Sequence, residues 1–281
     1  MRRDIMITKN SLKIISGRRV LIREEKYAYL LPCERLRSLI SNFTITFPDP
    51  SIISDNYTVM PHGSVTLVFF QDSGGLHSWL FGPASKPQKI GDIANKCDYI
   101  FIIEFQPAGF YPFGKMNQKE LKDKIISFSS IDPSLDAVLR HSLSSSLTPD
   151  DLLEELEKQL IQNIKFPYPE ELAQALLAAV QTEGVVTAAE ISNDVHYSPR
   201  HLNRLFNLYL GMSRKAFSRL VKINRSFKLL NEKSNTLEYI SEKLGYYDVS
   251  HFVKDFKTVC GITPQTYRAN MSDFYSEVAK F

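Results

Sequence analysis

Residues 240–268 of this 281-residue chain read ISEKLGYYDVSHFVKDFKTVCGITPQTYR. Residues 191–217 carry the same pattern as ISNDVHYSPRHLNRLFNLYLGMSRKAF, offset by 49 positions before the turn and by 50 after it. In each copy a short amphipathic run, a tight turn and a second amphipathic run follow one another, which is the order of a helix-turn-helix unit. Two such units in one chain predict binding to two neighbouring groove segments of duplex DNA.

The charge of the chain is concentrated on this repeat. Residues 196–268 contain 13 Lys+Arg and 5 Asp+Glu, a net charge of +8, whereas the remaining residues carry −5 and the whole chain +3. A basic segment that coincides with the repeat indicates a site for a polyanion.

Cysteine spacing and hydropathy predict the compartment. The three cysteines are widely spaced and form no Cys-x-x-Cys pair, which is typical of reduced, packed thiols. No apolar run approaches the roughly 18 residues that span a bilayer, and polar residues interrupt the N-terminal segment where a signal peptide needs an apolar core. We therefore expect a cytoplasmic protein with no membrane partner.

The order of strand-like and helix-like patterns predicts an α+β fold. Up to about residue 130, β-rich runs alternate with Gly, Pro and Asp turns, which favours an antiparallel barrel or sandwich. Further on, apolar residues recur at helical spacing. We predict a β-rich sensory or dimerisation domain at 1–130, a helical connector and linker at 131–169, an all-α domain at 170–270 with two helix-turn-helix units joined by a linker helix, and a tail at 271–281.

Local signals mark several element boundaries. The run from Asp72 to Gly75 predicts a hairpin connection. Thr148 and Ser198 are predicted helix N-caps, because a proline follows each of them at the first helical position. Asp248 is the predicted N-cap of the second helix in the second copy.

The second helix of the first copy carries polar groups suited to reading bases. Its apolar residues face inward and leave Arg200, Asn203, Arg204 and Asn207 as one polar stripe. Arginine can pair with O6 and N7 of guanine, and asparagine with N6 and N7 of adenine. We predict that Arg200, Asn203 and Arg204 contact bases, and that His201 and Asn207 contact phosphates.

The corresponding helix of the second copy has fewer donors. A valine can contact a thymine methyl group, and a lysine can reach a guanine or a phosphate. We therefore predict weaker base discrimination here and more anchoring on the DNA backbone. The predicted base contacts are Val249, Ser250, Val253 and Lys254, and the predicted phosphate contacts are His251 and Lys257. Between the copies, Ser213 to Leu230 predicts a linker helix about 25 Å long.

Residues 191–268 resemble the DNA-binding domain of AraC/XylS-type transcription regulators. The residues that carry the resemblance are Ile240 to Tyr246, Ser250-His251-Phe252, Phe256-Lys257 and Gly261 to Arg268. The resemblance implies two helix-turn-helix units that read adjacent major grooves through the positions named above. Lys254 stands where the family usually has arginine, which weakens a bidentate contact to guanine.

The first domain is similar to cupin-like sensory domains that precede such readers. Met60 to Phe69 and Phe105 to Tyr111 carry this similarity, which implies binding of a small effector or dimerisation. The aromatic residues Tyr57, Trp79 and Phe101 are candidates for an effector pocket, although such residues also fill β cores. A regulator whose first domain binds no ligand, and only dimerises or contacts RNA polymerase, is the alternative.

A DNA-tethered cupin-type enzyme is a further alternative that the sequence disfavours. His62, His77 and Glu104 lack the close His-x-His pair of a metal-dependent cupin, so we expect no metal. Neither a Ser-His-Asp order nor a phosphate-binding glycine loop is present, so we expect no catalytic residues and no cofactor.

Overall fold

The computed structural model describes residues 5–16, 19–51, 53–167, 169–181 and 198–270. The predicted first helix of the first copy, at 188–194, and the predicted tail at 271–281 lie outside the described residues.

Nine strands occur in the first half of the described chain. They are β1 (Val20–Arg23), β2 (Tyr27–Leu30), β3 (Ile40–Thr46), β4 (Thr58–Val59), β5 (Thr66–Asp72), β6 (Gly75–Phe81), β7 (Gln88–Lys89), β8 (Tyr99–Phe105) and β9 (Ile125–Ser127). Seven form an antiparallel sheet in the order β1-β2-β3-β8-β5-β6-β9, and β4 pairs with β7 in a separate ribbon. The register pairs Asp72 with Gly75, which confirms the predicted hairpin.

Short helices connect these strands and longer ones follow them. They are α1 (Gly91–Ala94), α2 (Tyr111–Gly114), α3 (Gln118–Leu121), α4 (Pro133–Ser145) and α5 (Pro149–Gln162). Three 3-10 turns lie at Lys9–Ile14, Glu34–Leu36 and Phe128–Ser130. The side chain of Thr148 accepts a hydrogen bond from the backbone N–H of Asp151 at 3.2 Å, so the predicted N-cap of α5 is confirmed.

The sheet uses its two faces differently. On β8, Phe101, Ile103 and Phe105 point to one face and belong to the first hydrophobic core. Helices α4 and α5 cover this face with leucines that are almost fully buried, such as Leu139 and Leu156. The apolar stripe of α5 therefore packs within its own chain.

The second half of the described chain is helical. Its elements are α6 (Glu170–Gln181), α7 (Pro199–Leu210), α8 (Arg214–Asn231), α9 (Leu237–Lys243), α10 (Val249–Cys260) and α11 (Pro264–Ala269). The central element is α8, whose 18 residues give a rod about 27 Å long that packs against the five other helices. The predicted linker helix is thus confirmed, and the fold is α+β as predicted.

The two halves are in contact. The second hydrophobic core contains Met60, Ala108 and Tyr111 of the first half beside the helices of the second. The rings of Tyr111 and Tyr209 lie 4.4 Å apart. The buried side chain of Asn224 on α8 donates a hydrogen bond to the carbonyl of Pro61 at 3.0 Å. The helices that carry the repeat are therefore anchored on the sheet domain.

Candidate functional site

Helix α7 is positioned by its cap and by its apolar face. The side chain of Ser198 accepts a hydrogen bond from the backbone N–H of His201 at 3.2 Å, as its sequence predicts. Leu202 and Phe206 are fully buried in the second core, which fixes the rotation of the helix about its axis. The opposite face is consequently turned to solvent.

That outer face holds the residues predicted to read bases. Arg200, Asn203 and Arg204 are all exposed, and His201 and Asn207 are half-buried beside them. The guanidinium groups of the two arginines therefore lie at the surface, where a guanine edge or a phosphate can reach them.

Asn203 and Asn207 also have structural contacts within the unit. The side-chain oxygen of Asn203 accepts a hydrogen bond from the backbone N–H of Arg214 at 3.1 Å, at the start of α8. The amide of Asn207 donates to the carbonyl of Asn203 at 2.8 Å. A bidentate contact to adenine needs both polar atoms of an asparagine. In this arrangement Asn203 ties the reading helix to the linker helix.

The second unit has the same construction with a different surface. Asp248 accepts a hydrogen bond from the backbone N–H of His251 at 2.7 Å, which confirms the predicted cap of α10. Phe252 and Phe256 are fully buried. Of the predicted contact residues, four are exposed and two valines are half-buried; the exposed ones are Ser250, His251, Lys254 and Lys257, and the half-buried ones are Val249 and Val253.

Basic residues of the linker helix bind mainly to the second unit. The guanidinium of Arg219 forms an ion pair with Asp255 on α10 at 3.0 Å. The ammonium group of Lys222 lies 5.1 Å from the ring centre of Tyr246, and burial lowers the pKa of this lysine. The ion pair joins the linker helix to α10, and Lys222 packs against the turn that precedes α10.

Tyr247 is a surface residue that sequence reasoning missed. Its side chain is 95% exposed in the turn that precedes α10. It therefore lies on the surface next to the N-terminal end of α10, the helix that carries the predicted contacts of the second unit. In the sequence, only its position next to the cap Asp248 distinguishes it from the buried Tyr246 of the same turn.

The sheet domain contains a cavity on the face opposite the first core. It has a volume of about 190 Å³ and lies between the outer side chains of β5, β6 and β8, the ribbon β4–β7 and helix α1. Of the effector candidates, Trp79 lines this cavity. Phe101 instead lies in the first core, stacked 5.9 Å from Phe43, and Tyr57 is half-buried outside the lining.

Two of the three thiols, those of Cys97 and Cys260, are buried. Burial raises the pKa of the Cys97 thiol to about 11, and nearby Asp72 and Asp98 act in the same direction. Burial also raises the pKa of Cys260. A high pKa keeps a thiol protonated and unreactive at neutral pH. Within the described ranges no three His, Cys, Asp or Glu residues are grouped to hold a metal ion.

Comparisons with known proteins agree with this geometry. Residues 191–270 match the family described as "Helix-turn-helix domain", and residues 29–127 match "Domain of unknown function (DUF6597)". A relative is the uncharacterized HTH-type transcriptional regulator YtdP of Bacillus subtilis, 31% identical over 31% of this chain and 11% of its own length. Another is the HTH-type transcriptional regulator ArgR of Pseudomonas aeruginosa, 26% identical over 47% of this chain and 41% of its own length.

Two solved structures are also similar to parts of the chain. An AraC-type regulator from Chromobacterium violaceum is 28% identical and covers 36% of this chain and 90% of its own, with a TM-score of 0.34. ToxT from Vibrio cholerae is 12% identical and covers 75% of this chain and 92% of its own, with a TM-score of 0.40.

The C-terminal part of the chain is a helix-turn-helix domain. The family match over residues 191–270, the capped helices and the glycines that end them all support this assignment. Its described part holds two capped helices, α7 and α10, that both pack against the linker helix α8. The chain spans less than half the length of the two curated relatives named above. Within the described residues, no helix combines the length and the apolar character needed to cross a membrane.

Proposed function

We propose that this chain is a sequence-specific DNA-binding transcription regulator whose N-terminal domain senses a small-molecule effector. The observation that carries the DNA-binding part is the exposed stripe of Arg200 and Arg204 on a capped helix whose other face is fully buried. Such a helix can enter a major groove without rearrangement of its own domain.

The charge of the domain supports the same proposal. The net charge of +8 over residues 196–268 favours binding to the phosphates of the DNA backbone. The exposed basic residues of this segment include Lys215, Lys228 and Lys257. The two units contribute unequally: the first reads bases through arginine, and the second relies more on phosphate contacts through His251 and Lys257. The proposed domain limits are 1–130, 131–169 and 170–270, and the site of action is the cytoplasm.

The cavity of the sheet domain supports the sensing part. A pocket lined by apolar side chains with a few polar groups is the usual form of a small-molecule site. His62 lines it, and the neighbouring Pro61 accepts the hydrogen bond from Asn224 on the linker helix. A conformational change at the cavity can therefore be transmitted to the DNA-binding domain through this hydrogen bond. A second copy of the chain and RNA polymerase are further proposed partners.

Selection of bound sequences from a random duplex pool tests the proposal. The full chain should enrich two short boxes about one helical turn, roughly 10 base pairs, apart. The box read by the first unit should be more sharply defined than the other. The observed affinity should also fall steeply with salt concentration. Recovery of no common sequence at any salt concentration would exclude specific DNA binding.

A further inference from the structure

The strand register arranges the cavity wall from polar to apolar. Thr66 pairs with Glu104, Val68 with Ile102 and Phe70 with Ile100 along the two central strands. All six side chains line the cavity. Because successive pairs lie on the same face about 7 Å apart, the polar pair occupies one end and the aromatic and aliphatic side chains occupy the rest.

The polar end contains a buried carboxylate. Glu104 is 7% exposed and accepts a hydrogen bond from the hydroxyl of Thr66 at 2.9 Å. His62 lines the same cavity, with its Nδ1 atom 3.0 Å from the hydroxyl of Ser64. A carboxylate in an apolar wall has the capacity for several hydrogen bonds, and each donor that reaches it offsets part of the cost of its burial.

The remaining wall is apolar and includes an indole. Trp79 packs edge-on against Phe70 at 5.6 Å between ring centres, and Ile93 and Cys97 close the same region. A cavity of about 150 Å³ with an aliphatic and aromatic lining accepts benzene. A volume of about 190 Å³ therefore suits a molecule somewhat larger than benzene, of about 8 non-hydrogen atoms.

We propose that this cavity binds a small, mainly apolar molecule, most simply a single aromatic ring, whose hydroxyl or amino group donates a hydrogen bond to Glu104. The proposal rests on the proposed function, since it gives the chemical class of the effector. An acid of the same size is disfavoured, because its carboxylate would face the carboxylate of Glu104.

The chain carries its own reporter for this binding. Trp79 is the single tryptophan, and its side chain is 39% exposed. A molecule seated in the cavity removes water from the indole, so its emission shifts to shorter wavelength or changes in intensity. The measurement requires neither DNA nor a known effector.

The experiment titrates the full-length protein with four probes of one size: benzylamine, benzyl alcohol, toluene and benzoate. We expect saturable changes in Trp79 emission with benzylamine and benzyl alcohol, weaker binding of toluene and the weakest binding of benzoate. Glu104→Gln should weaken benzylamine about tenfold or more, because the ion pair between its ammonium group and the carboxylate is replaced by a hydrogen bond to a neutral amide. The matched control is Glu25→Gln, at an exposed carboxylate in the turn after β1, and should leave all four affinities unchanged.

A second variant keeps the test decisive if Glu104→Gln unfolds. Ala94 is buried in α1 and lines the cavity, so Ala94→Leu should fill part of the volume and weaken all probes alike. Absence of any saturable response overturns the proposal, and so does tighter binding of benzoate than of benzylamine. If the response appears but no DNA sequence is enriched, the proposed function fails while the ligand site stands.

Discussion

Arg204 and Lys254 occupy equivalent positions in the two helix-turn-helix units, and both are exposed. An arginine presents two parallel donors in a fixed plane, whereas a lysine presents a single charge. If both units bind DNA as proposed, we expect this difference of one residue to make the first unit the better reader of guanine. Arg200 strengthens it further, because the equivalent position of the second unit is Ser250.

Replacing Arg204 should therefore weaken specific binding selectively. For Arg204→Ala we expect a loss of about 1–3 kcal/mol on the selected site and relaxed preference at one base position. Arg204→Lys should retain binding to random DNA yet lose much of that preference. Titration of selected and random duplexes measures both effects. Arg35→Ala, at an exposed arginine of the sheet domain, is the control for loss of charge. Equal losses on selected and random DNA would reduce Arg204 to a phosphate anchor.

Residues with local roles were predictable from the sequence, and residues with tertiary roles were not. The caps Ser198 and Asp248 follow from hydrogen bonds within three residues, which a short pattern encodes. The contact of Asn203 with Arg214 depends on the angle between two helices, so the sequence pattern assigns the asparagine only a base-reading role. Phe101 is a pocket candidate in the sequence, because strand alternation separates the side chains of the two sheet faces but does not tell which face packs into the core.

At the scale of elements, one buried carboxylate joins helix α4 to the sheet. Asp136 on α4 is 4% exposed and accepts a hydrogen bond from the hydroxyl of Ser78 on β6. Burial raises the pKa of Asp136, although the Ser78 hydrogen bond and Arg140, 3.8 Å away, act in the opposite direction. The folded chain therefore binds this proton more tightly than the unfolded chain does.

This pKa shift predicts a pH-dependent stability. Because the folded-state pKa lies above the unfolded value near 3.8, stability from this group is lost as pH rises through that interval. Asp136→Asn removes the ionisation and keeps an acceptor for Ser78. We expect the variant to be more stable than the parent at pH 7, and the difference to disappear below pH 3.8. Urea denaturation at both pH values measures it, with the exposed Asp92→Asn as control. A difference that is independent of pH would contradict this origin.

The cavity could not be predicted from the individual strands and helices. The outward residues of β5 are Thr66, Val68 and Phe70, a largely apolar set that indicates a covered face. What covers that face is the ribbon in which Thr58–Val59 pairs with Gln88–Lys89. Strands of two residues, about thirty positions apart, carry no periodic signal. The hairpin connection from Asp72 to Gly75, by contrast, was predicted with its observed limits.

For the whole molecule, the first unit is docked on the sheet domain while its reading face stays open. The C-terminal end of α7 lies against α3, and Tyr209 meets Tyr111 there. Arg200 and Arg204 lie nearer the N-terminal end of the helix and remain exposed. One helix therefore carries the exposed arginines at one end and contacts the sheet domain at the other. The repeat pattern does not reveal this contact, because Gly211 and Gly261 look equivalent in the sequence.

These two glycines allow the docking to be tested with matched substitutions. Each ends its helix in the left-handed region, with φ of 73° at Gly211 and 70° at Gly261. Alanine at either position costs about 1–2 kcal/mol in backbone strain. At Gly211 the added Cβ would also lie 2.6 Å from the carbonyl oxygen of Gln118 on α3, whereas at Gly261 no described atom lies within 4 Å of it.

We therefore expect Gly261→Ala to lower the free energy of unfolding by about 1–2 kcal/mol and to leave the sheet domain unchanged. Gly211→Ala should lower it by more, because α3 and α7 must move apart to relieve the contact. Hydrogen exchange of the backbone amides in residues 111–121 should accelerate in Gly211→Ala alone, since this segment loses its cover. Chemical denaturation and exchange on the two variants measure both effects. If both variants lose the same stability and hydrogen exchange is unchanged, the contact between α7 and α3 is weak. The two domains are then free to rotate relative to one another.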